Sequence, residues 1–438
     1  MGKKQQDNLR QSIDRNLGVI QINKEEIFSM AVELNEVVMV SACRTAIGAY
    51  GGSLQPVAAN ELTKIVATEA IKRAGIDPKQ IDEIVAGMCL GHGNGSCPPR
   101  IVAMEIGMDP KSSACMVNQN CASAMKALEI AAMKLQLGKC DIALVTGTES
   151  MSNIPYISTT ARWGARMGDV KLQDAMLADG LVCQLAGSHM GGTAENIAEQ
   201  YGITREECDA LALLSHQRAV RANDEGRFER EIVPVPVKKG RKDYVFKNDE
   251  HPIRGASLES MAKLRPAFKK DGVVTAANAS GLNDAAAAVV LMTKKKAQEL
   301  GIKPLMKLIN VCDEGVEARV MGLGPAAAIP KCLKEAGMKY EDVDYWEINE
   351  AFAAQVIGVG KKLKDEEDIT MNIGTFEQDG NVNTNGSGIG LGHPVGATGL
   401  RIIVSLYYEL ERLGKTTGGA SLCVGGGAAM ASLWTRDI

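Results

Sequence analysis

The stretch Val117-Asn118-Gln119-Asn120-Cys121-Ala122-Ser123-Ala124-Met125-Lys126 places one cysteine among small and polar residues where a helix is predicted to begin. Asn118 or Asn120 can cap this helix, and apolar residues continue at helical spacing from Ala124 to Leu137. A thiol in a first helical turn faces unpaired N–H groups, which favour the thiolate and raise its reactivity. A lone cysteine in an alanine-rich helix is usually a packing residue. The stretch alone leaves Cys121 evenly balanced between these two roles.

Strands and helices alternate on both sides of this helix. Apolar runs predict strands at Val37 to Val40, Ile81 to Ala86 and Ile142 to Thr146. Between the first two runs, a helix is predicted from the shared face of Leu62, Ile65, Val66 and Ala70. This alternation predicts an α/β fold whose parallel or mixed sheet is covered by helices.

An internal repeat relates the two ends of the chain. Ala74-Gly75, followed by Ile81-Asp82-Glu83-Ile84, matches Ala336-Gly337, followed by Val343-Asp344-Tyr345-Trp346. The Cys121 helix also matches a helix from Ala397, and the second copy carries about fourteen extra residues, within Lys364 to Asn381. The repeat predicts two similar α/β halves that bring Cys121 and the loop containing His393 to equivalent helix starts.

Composition sets the broad class of the protein. The chain has 438 residues, 45% of them hydrophobic, and a formal charge of −4, which favours neither nucleic acid nor a membrane surface as a partner. Its eleven cysteines are odd in number and scattered, without the spacing of a zinc site. We therefore expect reduced thiols, no metal and a cytoplasmic location.

The predicted domain order is a disordered leader at 1–30, a first domain at 31–292 and a second domain at 303–438. Residues 151–271 mix loops with short helices and are predicted to form an inserted loop domain that holds ligand contacts. A basic run from Lys238 to Lys242 lies inside it and is predicted to be a solvated turn. Lys294 to Pro304 would connect the two halves.

Three further groups are candidates for chemistry, although each has a more ordinary explanation when taken alone. His393 lies in a glycine-rich loop where imidazole could accept the proton of Cys121, but such loops often only turn the chain. Cys423 ends an apolar strand before Gly425-Gly426-Gly427, whose backbone N–H groups could hold an oxyanion, while a buried cysteine usually packs. Asn349 follows another strand, where a helix-capping role is common.

Together these motifs resemble the thiolase family, the coenzyme A-dependent enzymes that form and cleave C–C bonds. The similarity covers about Glu36 to Trp434 and includes V-N-Q-N-C-A-S at Cys121, N-E-A-F-A at Asn349, G-H-P-V-G-A-T-G at His393 and L-C-V-G-G-G at Cys423. It implies the thiolase fold, with two similar α/β core halves layered α-β-α-β-α and an inserted loop domain. It also implies an acyltransferase of fatty acid metabolism that forms a homodimer or homotetramer.

The resemblance implies a role for each of these residues. Cys121 would attack a 3-oxoacyl-CoA and carry the acyl group, with ping-pong kinetics, and His393 would deprotonate it. Cys423 would protonate the leaving enolate and then activate incoming coenzyme A. Asn349, through a water, and His393 would form one oxyanion hole, and the N–H groups of Cys121 and Gly425 would form the other.

Coenzyme A would be a substrate, with no permanently bound cofactor. The positions that resemble the family's coenzyme A contacts are Leu181, His189, Met190, Ser260, Ala276, Ser280 and Phe352. His189-Met190 resembles the short-chain, acetoacetyl-CoA type. Arg254 stands one position later than in related biosynthetic enzymes, and the loop Met88 to Pro99 and the insert Ile369 to Gly380 are unusual. These departures leave open a bulkier branched, dicarboxylic or aromatic substrate, or an accessory subunit.

Other classes fit the sequence less well. A decarboxylating ketosynthase of the same fold would carry a second histidine where this chain has Asn349. A dinucleotide-dependent dehydrogenase would need G-x-G-x-x-G after the first strand, which is missing. A non-catalytic scaffold subunit would not need the complete Cys, Asn, His and Cys set.

Overall fold

The computed structural model describes residues 34–239 and 242–438. The predicted leader at 1–30 and the centre of the basic run from Lys238 to Lys242 lie outside the described residues. The helices are α1 Ala59–Ala74, α2 Pro98–Glu105, α3 Ser123–Gln136, α4 Met190–Tyr201, α5 Arg205–Asp224, α6 Leu258–Ala262, α7 Lys294–Glu299, α8 Pro325–Ala336, α9 Ala353–Glu367, α10 Gly388–Leu391 and α11 Val395–Leu413.

The strands make one large sheet and three small hairpins. In chain order they are β1 Val37–Thr45, β2 Gly48–Ala49, β3 Glu83–Gly87, β4 Ser113–Val117, β5 Ile142–Ser150, β6 Tyr156–Ile157, β7 Gln173–Asp174, β8 Val182–Cys183, β9 Ser188–His189, β10 Ile232–Val233, β11 Val235–Lys239, β12 Lys242–Phe246, β13 Asn283–Thr293, β14 Met306–Gly315, β15 Tyr345–Ile348, β16 Thr417–Cys423 and β17 Ala428–Thr435. The large sheet has 11 strands, of which nine run in the order β15-β16-β17-β14-β1-β13-β5-β3-β4.

The sheet order contains the predicted repeat. The first half runs β3-β5-β13-β1 and the second runs β15-β16-β17-β14, so strands in equivalent chain positions occupy equivalent places. In each half the first pair is parallel and the second pair is antiparallel. The halves join where β1 pairs with β14, at Val38 with Lys307 and at Met39 with Met306. The prediction of two similar α/β halves is therefore confirmed.

Three layers of helices cover the strands. Helices α1 and α2 pack on the outer face of the first half, and α8 and α9 pack on the outer face of the second. Helices α3 and α11 share one buried apolar cluster with strands from both halves. The buried residues are mainly alanine and leucine in α3 and mainly leucine, isoleucine and valine in α11, as expected for helices packed between the strands of the two halves. The α-β-α-β-α layering is confirmed, and it places the starts of α3 and α11 side by side.

The structure adds detail to the inserted segment and to the connection between halves. The segment at 151–271 holds α4, α5 and α6 together with the hairpins β6-β7, β8-β9 and β11-β12. The connection from Lys294 to Pro304 contains the short helix α7. Across the part of the chain that the structure describes, every helix is too short or too polar to cross a membrane.

Candidate active site

Cys121 is presented by a strained turn just before α3. Residues Asn120–Ala122 form a 3₁₀ turn, and Asn120 lies in the left-handed region with φ 47°. The side-chain oxygen of Asn118 accepts the Asn120 N–H at 2.9 Å, and its amide nitrogen donates to the Cys89 carbonyl at 2.9 Å. Asn118 thus holds Asn120 in the turn, but neither the 3₁₀ turn nor α3 has a side-chain cap, which corrects the expected capping of the helix.

The Cys121 sulfur faces backbone donors from both halves of the chain. It accepts hydrogen bonds from its own N–H and from the N–H of Gly425. Nevertheless, burial raises the pKa of the thiol to about 11. The expectation that the helix start favours the thiolate is wrong for the free protein, because the loss of hydration outweighs the two donors. The thiol therefore needs a base.

His393 comes two residues before α11 and also faces the cavity. Its Nδ1 lies 2.6 Å from the hydroxyl of Thr398, and that hydroxyl donates to the Pro394 carbonyl at 3.0 Å. This arrangement assigns the ring proton to Nδ1, since the hydroxyl proton is already engaged. The other nitrogen, Nε2, has no hydrogen-bond partner among the described residues. Burial, and then the nearby Arg401, lowers the pKa of His393 to about 3, so Nε2 carries a free lone pair at neutral pH.

Cys423 and Asn349 are fully buried and do not line the cavity. Cys423 is the last residue of β16 and is fully buried, and burial followed by the neighbouring Cys121 raises the pKa of its thiol well above the usual range. The Asn349 oxygen lies 3.5 Å from a guanidinium nitrogen of Arg401. Its amide nitrogen is buried and unpaired within the described chain, so it is a donor available to a water or an oxyanion. Both groups fit proton transfer and charge stabilisation at the cavity.

The cavity has a volume of about 390 Å³ and a mainly apolar lining. Cys121, His393 and Gly425 line it, as do six of the seven predicted coenzyme A contacts: Leu181, His189, Met190, Ala276, Ser280 and Phe352. Ser260 does not, because it lies in α6 on the surface, where its hydroxyl donates to the Ser257 carbonyl at 2.8 Å. The structure therefore does not bring Ser260 to the cavity.

Several residues of the site were missed by sequence reasoning. Asn120 donates from its side chain to the Gly425 carbonyl at 2.8 Å, which ties the nucleophile turn to the glycine run of the other half. Asn283 accepts the N–H of His393 at 2.9 Å. Phe268 stacks on His189 with ring centroids 4.6 Å apart and lines the cavity. Of these three residues, only Asn120 could have been found from the sequence, because it is next to Cys121. Asn283 and Phe268 come from distant segments.

The unusual segments differ in their relation to the cavity. Leu90 of the loop Met88 to Pro99 lies behind Gly180, a residue of the cavity wall, and a Cβ on Gly180 would lie 3.2 Å from the Leu90 side chain. The insert Ile369 to Gly380 does not line the cavity. Arg218 and Arg221 hold it against α5, through hydrogen bonds to the Ile373 carbonyl and to Asp379. Arg254 pairs with Asp224 on the surface at 2.6 and 3.0 Å. Within 34–239 and 242–438, no cluster of three His, Cys, Asp or Glu side chains is placed to hold a metal ion.

Comparisons with known proteins agree with this geometry. Residues 37–295 match the family model for the N-terminal domain of thiolase, and residues 302–436 match the model for its C-terminal domain. An acetyl-CoA acetyltransferase from Syntrophomonas wolfei is 47% identical over 398 residues, covering 90% of this chain and 98% of that protein.

Solved structures give the same result. A structure of acetyl-CoA acetyltransferase from Syntrophomonas wolfei is 69% identical and superimposes with a TM-score of 0.90, covering 92% of this chain and all of that one. A human mitochondrial 3-ketoacyl-CoA thiolase in complex with CoA is 35% identical with a TM-score of 0.85, covering 92% of this chain and 98% of that chain. The agreement extends over both halves of the fold.

Proposed function

The chain belongs to the thiolase family, and from this membership we propose that it makes and cleaves short 3-oxoacyl-CoA thioesters through an acyl group carried on Cys121. It is an acyltransferase of fatty acid metabolism and uses coenzyme A as a substrate. The observation that supports this function best is the meeting of Cys121, the Gly425 N–H and the free Nε2 of His393 in one cavity.

Cleavage would begin with proton transfer from the Cys121 thiol to Nε2 of His393, because Nδ1 already holds a proton. The sulfur then attacks the 3-oxo carbon, and the oxygen of the adduct takes up the negative charge. The N–H groups of Cys121 and Gly425 converge on the sulfur, so they are placed to stabilise that oxygen. Breaking the bond between C2 and C3 leaves an acyl thioester on Cys121 and an enolate of acetyl-CoA.

The enolate would take its proton from Cys423. A thiol with a raised pKa is protonated at neutral pH, as a general acid must be. Asn349 supports the enolate oxygen, directly or through a water, since its amide nitrogen is a free donor. The Cys423 thiolate then deprotonates incoming coenzyme A, whose sulfur attacks the acyl thioester. Cys121 leaves as the thiolate and takes back the proton held on Nε2 of His393, which restores both groups.

The short-chain substrate agrees with the cavity and with the names of the relatives. The wall beside Cys121 is made of the bulky side chains Met151, Met176, Leu282 and Val395. Relatives at 42–47% identity are named acetyl-CoA acetyltransferase, among them proteins of Syntrophomonas wolfei and Escherichia coli. The alternative of a bulkier branched, dicarboxylic or aromatic substrate is not favoured.

We also propose that the protein acts in the cytoplasm as a homodimer or homotetramer. Support for self-association comes from apolar side chains that the fold leaves exposed, including Met116 on the edge strand β4 and Trp163 and Met167 in the inserted segment. An accessory subunit is a further proposal, for which the insert Ile369 to Gly380 offers an outward-facing surface. Size measurement of the purified protein, alone and from its native host, tests both proposals.

The Cys121→Ala variant tests the proposed nucleophile. We expect it to lose acetoacetyl-CoA thiolysis by about 10⁴-fold or more, because the covalent route is closed. Mass spectrometry of the parent protein after brief exposure to acetoacetyl-CoA should find one acetyl group, on the peptide containing Cys121. Full thiolysis by the variant, or acetylation on another cysteine, would reject the assignment.

A substrate panel tests the chain length. Acetoacetyl-CoA should give a higher kcat/KM than longer, branched or aromatic 3-oxoacyl-CoA thioesters, because the Met and Leu side chains close the space next to Cys121. A strong preference for a bulky thioester would overturn the short-chain proposal while leaving the chemistry intact.

A further inference from the structure

Glu149 is a buried carboxylate at the end of β5 with an unusual set of partners. One oxygen accepts the N–H of Gly396 at 2.8 Å and the N–H of Cys89 at 3.1 Å, and the other accepts the N–H of Leu90 at 3.2 Å. Its side chain is 1% exposed, and no Lys, Arg or His of the described residues forms an ion pair with it. A buried carboxylate held only by backbone donors is costly unless those donors are fixed around it.

The hydrogen bond to Cys89 connects Glu149 to the turn that holds Cys121. The carbonyl of Cys89 accepts from the side chain of Asn118, whose oxygen in turn holds the N–H of Asn120. Asn120 is the left-handed residue that aims Cys121 at the cavity. Glu149 is therefore connected to the Cys121 turn through consecutive hydrogen bonds of 3.1, 2.9 and 2.9 Å.

The bond to Gly396 leads to the base. Gly396 is the second residue of α11 and lies three residues after His393. A Cβ at position 396 would lie 2.7 Å from the Glu149 oxygen and 2.6 Å from the Cys89 nitrogen, so only glycine lets this helix start approach so closely. The helix belongs to the second half of the repeat and β5 belongs to the first, so the carboxylate bridges the two halves.

We propose that Glu149 is a positioning residue for the acyl transfer, holding the Cys121 turn and the His393 helix in register across the two halves. The inference rests on the proposed function, because it concerns the distance between the nucleophile and its base. A displacement of about 1 Å between reacting groups is enough to lower a rate by about 10²-fold. Glu149 does not line the cavity, so it would act through the segments that it holds.

The charge of Glu149 leads to a second expected effect, on the reactivity of the free Cys121 thiol, which is opposite in sign to the effect on catalysis. Burial is the main cause of the raised pKa of Cys121, and the negative charge of Glu149 acts in the same direction. Burial also raises the pKa of Glu149 to about 7, so its carboxyl group is mostly ionised at pH 8. Replacing the carboxylate by an amide removes that charge and also sets an amide donor against one of the three N–H groups. Loss of register should slow catalysis, whereas loss of the charge should make the free thiol more reactive.

The experiment compares Glu149→Gln, Glu149→Asp and the parent full-length protein in acetoacetyl-CoA thiolysis and in alkylation of Cys121 by iodoacetamide. For Glu149→Gln we expect kcat to fall at least about tenfold with KM within about twofold, while alkylation at pH 8 becomes several-fold faster. Glu149→Asp keeps the charge but shortens the reach, so kcat should fall without faster alkylation. This second variant preserves the test if the glutamine variant does not fold.

Asp284→Asn is the matched control. Asp284 is equally buried, lies on the neighbouring strand β13 and accepts two hydrogen bonds from Ser152, one from its N–H and one from its hydroxyl. Its variant should keep kcat within about threefold of the parent, because its bonds lead neither to the Cys121 turn nor to α11. An equal loss in Asp284→Asn, an unchanged kcat in Glu149→Gln, or alkylation that slows with kcat would overturn the proposal. If the parent protein formed no acyl-enzyme with acetoacetyl-CoA, the proposed function itself would be wrong, which is a different outcome from any of these.

Discussion

The starts of α3 and α11 occupy equivalent places in the two halves, yet they present different chemistry. At the start of α3 a left-handed turn at Asn120 points a thiol at two backbone N–H groups. At the start of α11 an imidazole precedes the helix, its ring is held by Thr398, and the helix N–H of Gly396 is taken by Glu149. At the start of α3 the sulfur accepts both N–H groups, one of them from Gly425 of the other half, whereas at the start of α11 the N–H group is satisfied by a carboxylate.

This difference explains how a duplicated fold makes an asymmetric reaction centre. Both helices bring a helix start to the interface between the halves, because sheet order and layering are shared. Local residues then decide what each start offers: a buried thiol, which we propose as the nucleophile, in the first half, and a neutral imidazole, which we propose as the base, in the second. The proposed oxyanion donors, the N–H groups of Cys121 and Gly425, come from both halves.

Replacing His393 by Asn should have the largest effect of the three. The thiol of Cys121, with a pKa of about 11, is almost entirely protonated at neutral pH, so losing the base should lower kcat by about 10²–10⁴-fold. Thiolysis of acetoacetyl-CoA measures the loss, and the rate should recover partly at higher pH as the thiol ionises by itself.

His216→Gln serves as the control for the His393 variant. His216 is also buried, with its pKa lowered to about 4, but it faces the N–H of Ile253 away from Cys121. We expect the kcat of this variant to stay within about threefold of the parent. A comparable loss in both variants would mean that His393 acts through the core and not as the base.

Thr398→Val removes the hydroxyl that holds Nδ1 of His393. The ring then loses its fixed tautomer and orientation, and we expect kcat to fall about tenfold with little change in KM. Thr398→Ser restores the hydroxyl and should restore most of the rate, which separates orientation from packing. If valine and serine gave the same kcat, the tautomer assignment would lose its support.

The buried, neutral His393 should also affect stability at acid pH. Its pKa is lowered to about 3 in the folded protein, so its contribution is complete above the unfolded value near 6.5 and is lost as pH falls toward 3. Within this window one such group costs up to about 1.4 kcal/mol per pH unit. Urea unfolding at pH 7, 6 and 5 should therefore give a shallower pH dependence for His393→Asn than for the parent. Parallel curves would show that folding leaves the pKa of the imidazole unchanged.

Much of the fold and the cavity was predictable because its signals are local or repeated. The apolar run before Arg44, the helix stop at Gly138 and the matched turns of the two halves each reflect residues close together in sequence. Six of the predicted coenzyme A positions lie on the cavity wall, and their contact with coenzyme A stays a prediction. Ser260 does not lie there, because the short helix α6 holds its side chain against Ser257 on the surface.

The family, the two-half α/β architecture and the residues that resemble the catalytic set follow from the sequence alone, because motif spacing and apolar periodicity are properties of neighbouring residues. The ionisation of Cys121, the tautomer of His393 and the place of Glu149 between the halves follow only from the folded structure. The first and the last depend on burial and on contacts between distant segments, such as Glu149 to Gly396, separated by 247 positions, whereas the tautomer depends on the side-chain geometry that the fold gives to the nearby Thr398. Burial and hydrogen bonds from distant segments leave no pattern in a local stretch of sequence. The helix start therefore predicted a thiolate at Cys121, whereas the folded protein holds a protonated thiol.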